Sequence, residues 1–200
     1  ASISPIDGPN GTLAQATPCI GRGTPIMVAY GYMKFDPADF ANIGNPQEVI
    51  THEMLHILGS GTIWENDRTL ISGKGGADPR FTGPLARAAC AALGATVTCA
   101  SSVPLENTGG AGTRDFHWRE LTFNNELMTG FYNSGINPLS SMTIASMADL
   151  GFTVNNADLD AYTFVGTTLM SGVPLSPEWE QVGLIKGKLG ADGKVARILK

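Results

Sequence analysis

Two histidines and a glutamate, His52-Glu53-Met54-Leu55-His56, stand within five residues of a 200-residue chain that holds only three histidines. On a helix, a four-residue interval puts both imidazoles on one face, about one turn apart, where they can grip a single ion. Neutral imidazole nitrogen suits zinc, and three protein ligands leave a fourth position for water. Water bound to zinc loses a proton near neutral pH and becomes a nucleophile for a carbonyl, which the metal also polarises. Glu53 projects about 100° around the helix from His52, too far for direct coordination but within reach of that water. It is the natural general base, and afterwards the acid that protonates a departing amine.

The competing account of the pair is two ordinary histidines on a helix face, and it leaves the intervening glutamate unexplained. The third ligand is open. His117, in Asp115-Phe116-His117-Trp118, is the remaining histidine, but a lone histidine among aromatic residues is more often packed into a core. Glu65, Asp67 or Glu120 offers a carboxylate ligand instead.

The elements that must position these groups are well signposted around the pair. Asn45 is a candidate N-cap, Pro46 suits the first helical position, and Glu48 stands three after Asn45 as in a capping box. Gly59 provides a left-handed stop, so the spacing predicts a helix over residues 46–58. Val49, Ile50, Met54, Ile57 and Leu58 leave room for a broad buried face. Upstream, residues 1–25 are punctuated by Gly and Pro and read as irregular. Residues 25–35 are rich in strand formers and predict one clear strand, with Gly31 permitting a bulge and residues 36–39 breaking it. Further helices are predicted over 83–93 and 141–150, ended by Gly94 and Gly151. The glycine-rich stretch 107–114 reads as a loop leading to His117; it lacks the ending of a phosphate-binding loop.

Composition sets the frame. An apolar fraction of 42 %, sparse charge at 16 %, 25 glycines and 12 prolines predict a loop-rich globular chain. A net charge of −5 argues against a nucleic-acid partner, and no run approaches the roughly 20 apolar residues of a membrane span. No signal-peptide pattern opens the chain, which does not make the protein cytosolic, since a mature or trimmed chain also lacks one. Cys90 and Cys99 can close a small loop or lie as two buried thiols, which leaves Cys19 over. Asp158 and Asp160 suggest calcium by number but lack a recognised loop pattern. Five of the 13 cations fall in the last fifteen residues (Lys186, Lys188, Lys194, Arg197 and Lys200), where Ala191-Asp192-Gly193-Lys194 signals a hairpin.

The run His52-Glu53-Met54-Leu55-His56-Ile57-Leu58-Gly59 resembles the HExxHxxG start of the metzincin zinc peptidases. In most metzincins the third ligand follows six residues after the second histidine, a position held here by Thr62. The leishmanolysin-like branch inserts a long segment first, and 61 positions separate His56 from His117. Phe116-His117-Trp118-Arg119-Glu120 and Asn125-Glu126-Leu127-Met128-Thr129-Gly130 resemble that branch's third-ligand region and Met-turn. The likeness spans roughly residues 25–165. It implies that His117 is the third zinc ligand, that Met128 lies beneath the metal, and that the chain is a secreted or cell-surface zinc endopeptidase acting on proteins or peptides. Tyr132 reads as a packing residue.

The resemblance further implies an α+β, two-lobed fold. Residues 1–59 would form an N-terminal lobe with the strand and active-site helix. Residues 60–165 would form a loop-rich C-terminal lobe, and 166–200 a tail. With 51 residues before His52, the N-terminal sheet lobe is expected to be reduced or truncated. The cysteine-rich framework of eukaryotic relatives is absent. Two rivals stand beside the peptidase: a zinc-stabilised binding or adhesion module with little catalysis, and a zinc hydrolase acting on a non-peptide substrate.

Overall fold

The computed structural model describes residues 1–66, 69–166, 173–174, 186–189 and 195–199. The chain begins with β1 (Ser2–Ile3), β2 (Ala14–Arg22) and β3 (Met27–Phe35), followed by a short helix α1 (Pro37–Phe40) and the long α2 (Pro46–Leu58). β2 and β3 form an antiparallel hairpin from Ala14↔Phe35 to Arg22↔Met27, and β1 lies parallel to the end of β3.

β2 corrects the expectation that residues 1–25 are irregular. It buries Ala14, Ala16 and Pro18 on one face, a period of two carried by small residues and proline rather than by the branched and aromatic side chains that usually announce a strand. Irregularity is present on both strands: pairing steps from Pro18↔Gly31 to Ile20↔Tyr30, so β2 carries the extra residue Cys19, and from Ile20↔Tyr30 to Gly21↔Val28, so β3 carries its extra residue at Ala29. Gly31 serves another purpose: a Cβ there would meet Ile57 Cδ1 at 2.6 Å and Thr17 O at 2.8 Å. Its bare Cα lets α2 lie against the hairpin.

Asp36 ends β3 and starts α1. One carboxylate oxygen accepts from the Ala38 amide at 2.9 Å, an N-cap. The other accepts from the amides of Ile6, Asp7 and Gly8 at 2.6–3.2 Å, tying the amino-terminal segment to the end of the sheet.

α2 spans the predicted residues, and Gly59 at φ +119° closes it by donating to Leu55 and His56. The capping box does not form. Asn45 makes no side-chain cap, and Glu48 accepts instead from Asn137, at 3.1 Å from the backbone and 3.0 Å from the amide. Nor is the buried face the apolar one expected: Met54 is 49 % and Leu58 38 % exposed, whereas Val49, His52, Glu53, Leu55 and His56 are buried. The polar side chains occupy the inward stripe.

The rest of the chain is loop-rich. β4 (Ile71–Ser72), β5 (Arg80–Phe81), α3 (Pro84–Ala92), β6 (Val103–Pro104), α4 (Glu120–Phe123), β7 (Phe131–Tyr132), α5 (Ser141–Asp149) and β8 (Val173–Pro174) follow in order. β4, β5 and β6 form a small antiparallel sheet, β7 pairs with β8, and α3 packs on α5. Cys90 and Cys99 are joined by a disulfide, and Cys19 is free. The terminal hairpin pairs β9 (Lys186–Leu189) with β10 (Val195–Leu199), and β9 meets β2 at Gly21↔Lys188 to give a sheet ordered β1-β3-β2-β9-β10. The predicted turn at 191–194 lies outside the described residues. Among the described residues no helix is long and apolar enough to cross a membrane.

Two apolar clusters organise the interior. The larger gathers Leu55, Trp64, Phe81, Trp118, Met128, Met142 and Leu150; the smaller gathers Leu13, Ala14, Phe35 and Val49. α2 contributes to both, so its central turns are held from two sides.

Candidate metal centre

His52 and His56 project from the inward stripe of α2, one turn apart. His117 arrives from a loop that is held at several points. Glu106 accepts from the amides of Asn107 and Thr108 at 3.0 and 2.8 Å, Arg114 donates to Asn107 O at 3.0 Å, and the amides of Glu106 and Asp115 donate to His117 O and Glu106 O. Beyond it, Trp118 stacks into the core with Trp64 and Phe81, ring centroids 5.2 and 5.5 Å away. A glycine-rich loop thus ends on a rigid aromatic anchor.

The three Nε2 atoms converge. His52 and His56 are 2.9 Å apart, His56 and His117 2.9 Å, and His52 and His117 3.1 Å. Each Nδ1 meets a backbone carbonyl: His52 that of Leu127 at 2.7 Å, His56 that of Ser60 at 2.8 Å, His117 that of Thr113 at 2.9 Å. A carbonyl can only accept, so each ring carries its proton on Nδ1 and turns the Nε2 lone pair inward. Three lone pairs facing one another repel unless a cation lies among them. Tetrahedral zinc with Zn–N near 2.0–2.1 Å would set its nitrogens about 3.3 Å apart, close to the spacing present. The residues therefore fit a divalent ion, and among the described residues this is the one cluster of its kind.

Burial supports the same protonation state. All three rings are at most 2 % exposed. Desolvation, and then the neighbouring imidazoles, hold His52 and His117 well below the ordinary histidine range; desolvation brings His56 down to about 4. Glu53 lies beside them, 1 % exposed, with Oε1 buried and given no hydrogen-bond partner by the described residues. Burial pushes its carboxyl well above the usual range.

Of the other candidate ligands, the two that are described, Glu65 and Glu120, are not part of the cluster. Glu65 pairs with Lys74 at the surface, Glu120 accepts from Asn133 at 2.9 Å, and Asp67 falls outside the described residues. Thr62 donates its hydroxyl to His56 O at 2.7 Å. Asp160 accepts from the Leu139 amide at 2.8 Å. Met128 is buried in the larger core; its carbonyl accepts from the Trp118 amide at 2.9 Å, so the segment around Met128 runs alongside the third histidine. Tyr132 packs against the smaller cluster and accepts from the Asn45 amide at 3.1 Å. The residues that orient the rings (Ser60, Thr113 and Leu127) were not legible as site residues, because they act through backbone carbonyls that every residue possesses.

No curated protein matches the chain in sequence. The family model described as leishmanolysin, peptidase family M8, matches residues 1–161, a stretch that takes in β2 as well as the three histidines and Met128. With four-fifths of its length under that match and a buried three-histidine cluster fit for a metal, the chain belongs to the leishmanolysin family of metal-dependent peptidases.

Proposed function

We propose that the chain is a zinc-dependent endopeptidase of the metzincin type, with His52, His56 and His117 as the metal ligands, Glu53 as general base and acid, and Met128 as the apolar floor of the site. The reading is carried by one observation: three inward-facing Nε2 atoms 2.9–3.1 Å apart, with a buried carboxylate one residue from the first. Zinc held there would acidify a water and polarise the scissile carbonyl. Glu53 takes the proton of the attacking water and returns it to the leaving amine. Its desolvated setting makes it a stronger base than a carboxylate in water, which suits proton transfer near neutral pH.

The described strands support a place for substrate. Among the described residues β1 covers only Lys34 and Phe35 on the edge of β3 away from β2, an edge along which Met27–Met33 would offer backbone groups to an extended peptide. In this reading residues 1–59 and 60–165 form two lobes flanking the cleft, and the protein acts outside the cell or at its surface.

Digestion of casein by the zinc-loaded protein and by Glu53→Ala tests the proposal. The expected outcome is new amino termini from wild type, loss of at least a hundredfold in the variant, and retained zinc in both. Equal, negligible turnover with zinc bound would replace the peptidase with a zinc-stabilised binding module.

A further inference from the structure

Glu126 is fully buried, and four donors converge on its carboxylate. The Met128 amide reaches Oε2 at 2.6 Å; the Ser140 amide at 3.2 Å, the Ser140 hydroxyl at 2.6 Å and the Thr143 hydroxyl reach Oε1. Both hydroxyls already accept from other groups, Thr143 from Trp118 Nε1 at 2.8 Å and Ser140 from the Thr143 amide at 3.4 Å. Their protons are therefore directed at Glu126; burial pushes its carboxyl above the ordinary range, the four donors pull it back, and an acceptor-only ionised carboxylate is the form that satisfies all four.

The Met128 amide belongs to the same peptide unit as the Leu127 carbonyl, and that carbonyl accepts from His52 Nδ1 at 2.7 Å. The chain of contacts runs from the Glu126 carboxylate to the Met128 N–H, across the peptide bond to the Leu127 C=O, and on to the His52 Nδ1–H. The peptide units behind the other two histidines are placed differently; that of Thr113 donates through the Arg114 amide to the neutral carbonyl of Gly110 at 3.2 Å.

We infer that Glu126 is a positioning residue for the metal site, acting on His52 through the Leu127–Met128 peptide as the carboxylate of a carboxylate–peptide–histidine triad. A carboxylate that bonds a ligating imidazole directly fixes its tautomer and raises its basicity as a ligand. Here the carboxylate draws on one end of a peptide group and increases the negative charge at the other, because hydrogen bonds in series polarise one another. The same carboxylate holds Thr143, which holds the Trp118 ring, so one buried anion orients His52 and braces the segment that delivers His117. The inference rests on the reading of the three histidines as metal ligands.

Glu126→Gln keeps the shape and an acceptor for the Met128 amide while removing the charge. The full chain and this variant are titrated with zinc against a chromophoric chelator, and their cobalt(II) spectra are compared. The variant is expected to bind zinc about ten- to a hundredfold more weakly and to shift the cobalt bands. Zinc affinity within twofold of wild type, with unchanged bands, overturns the triad. Failure of the wild type to bind either metal overturns the metal centre itself, a result separable from the first. Should Glu126→Gln not fold, imidazole proton NMR of the zinc-loaded wild type decides: the His52 Nδ1 proton is expected downfield of those of His56 and His117, and a resonance level with or upfield of them overturns the proposal.

Discussion

Gly61 holds the turn that follows the paired histidines, and its backbone is available only to a residue without a side chain. At φ +73° a Cβ would sit 2.2 Å from the Phe116 carbonyl oxygen, a contact with backbone that no rotamer change relieves. Gly61→Ala combines left-handed strain with that collision and is expected to lower stability by about 2 kcal/mol or more, read from thermal unfolding. Because Phe116 precedes His117, zinc affinity should fall with it, whereas a strained surface turn would leave metal binding alone. A second comparison separates the histidine from its carboxylate rivals. His117→Ala is expected to weaken zinc binding by more than a hundredfold, measured by the same chelator competition. Glu65→Gln and Glu120→Gln should change it by less than threefold, since one carboxylate is paired at the surface and the other is engaged with Asn133.

α3 is a nine-residue, alanine-rich helix whose N-cap position is Gly83, which has no side chain to offer the first amides. Asp149, at the end of α5, supplies that function from across the interface: its two oxygens accept from the amides of Leu85 and Ala86 at 3.1 and 2.9 Å. Asp149→Ala is expected to lower stability by about 1–2 kcal/mol in denaturant unfolding, the scale of a lost cap together with the charge at a helix N-terminus. At the other end of α3, Cys90–Cys99 closes a short loop, and replacing both by Ala should remove about 2–3 kcal/mol while leaving the metal site intact. Legibility in the sequence varied with how local the cause was. α2 could be read because its proline, its terminal glycine and its histidine interval all lie within fifteen residues. β2 could not, since alanine and proline carry its alternation, nor could the four-residue α4 and the two-residue strands, which are too short to repeat a period. The tertiary cap by Asp149 joins residues 63 apart, and the polar inward stripe of α2 depended on partners that no local pattern names. Residue type and spacing left the third position open; the family resemblance pointed to His117, and the long-range fold brings it to the pair.

Across the whole molecule two polar arrangements set how stability responds to solution conditions. Four amide donors, led by Ala38, hold the Asp36 carboxyl at about 2, below the roughly 3.9 of an unfolded aspartate. A depressed carboxyl contributes stability that is whole above its unfolded value and is lost as pH falls through its folded one. Wild type should therefore lose stability between about pH 4 and pH 2, and Asp36→Asn, less stable at neutral pH, should show a shallower acid limb in melts taken across that window. The proposed metal would act at larger range. Two of the histidines that would hold it sit on α2, between the sheet hairpin and the core, and the third arrives 61 residues later from the loop-rich region. An ion shared by the three would bind the folded chain and would have no assembled site in the unfolded one. At free zinc a hundredfold above its dissociation constant, this linkage adds about 2.7 kcal/mol, or roughly 5–10 °C in a chain of this length. Melting with zinc and then with excess chelator should show that difference in wild type and a much smaller one in His117→Ala. A melting temperature indifferent to zinc in the wild type would mean that the three imidazoles do not close on an ion, and that the two parts of the chain are held together by apolar packing and direct hydrogen bonds such as Glu48 to Asn137.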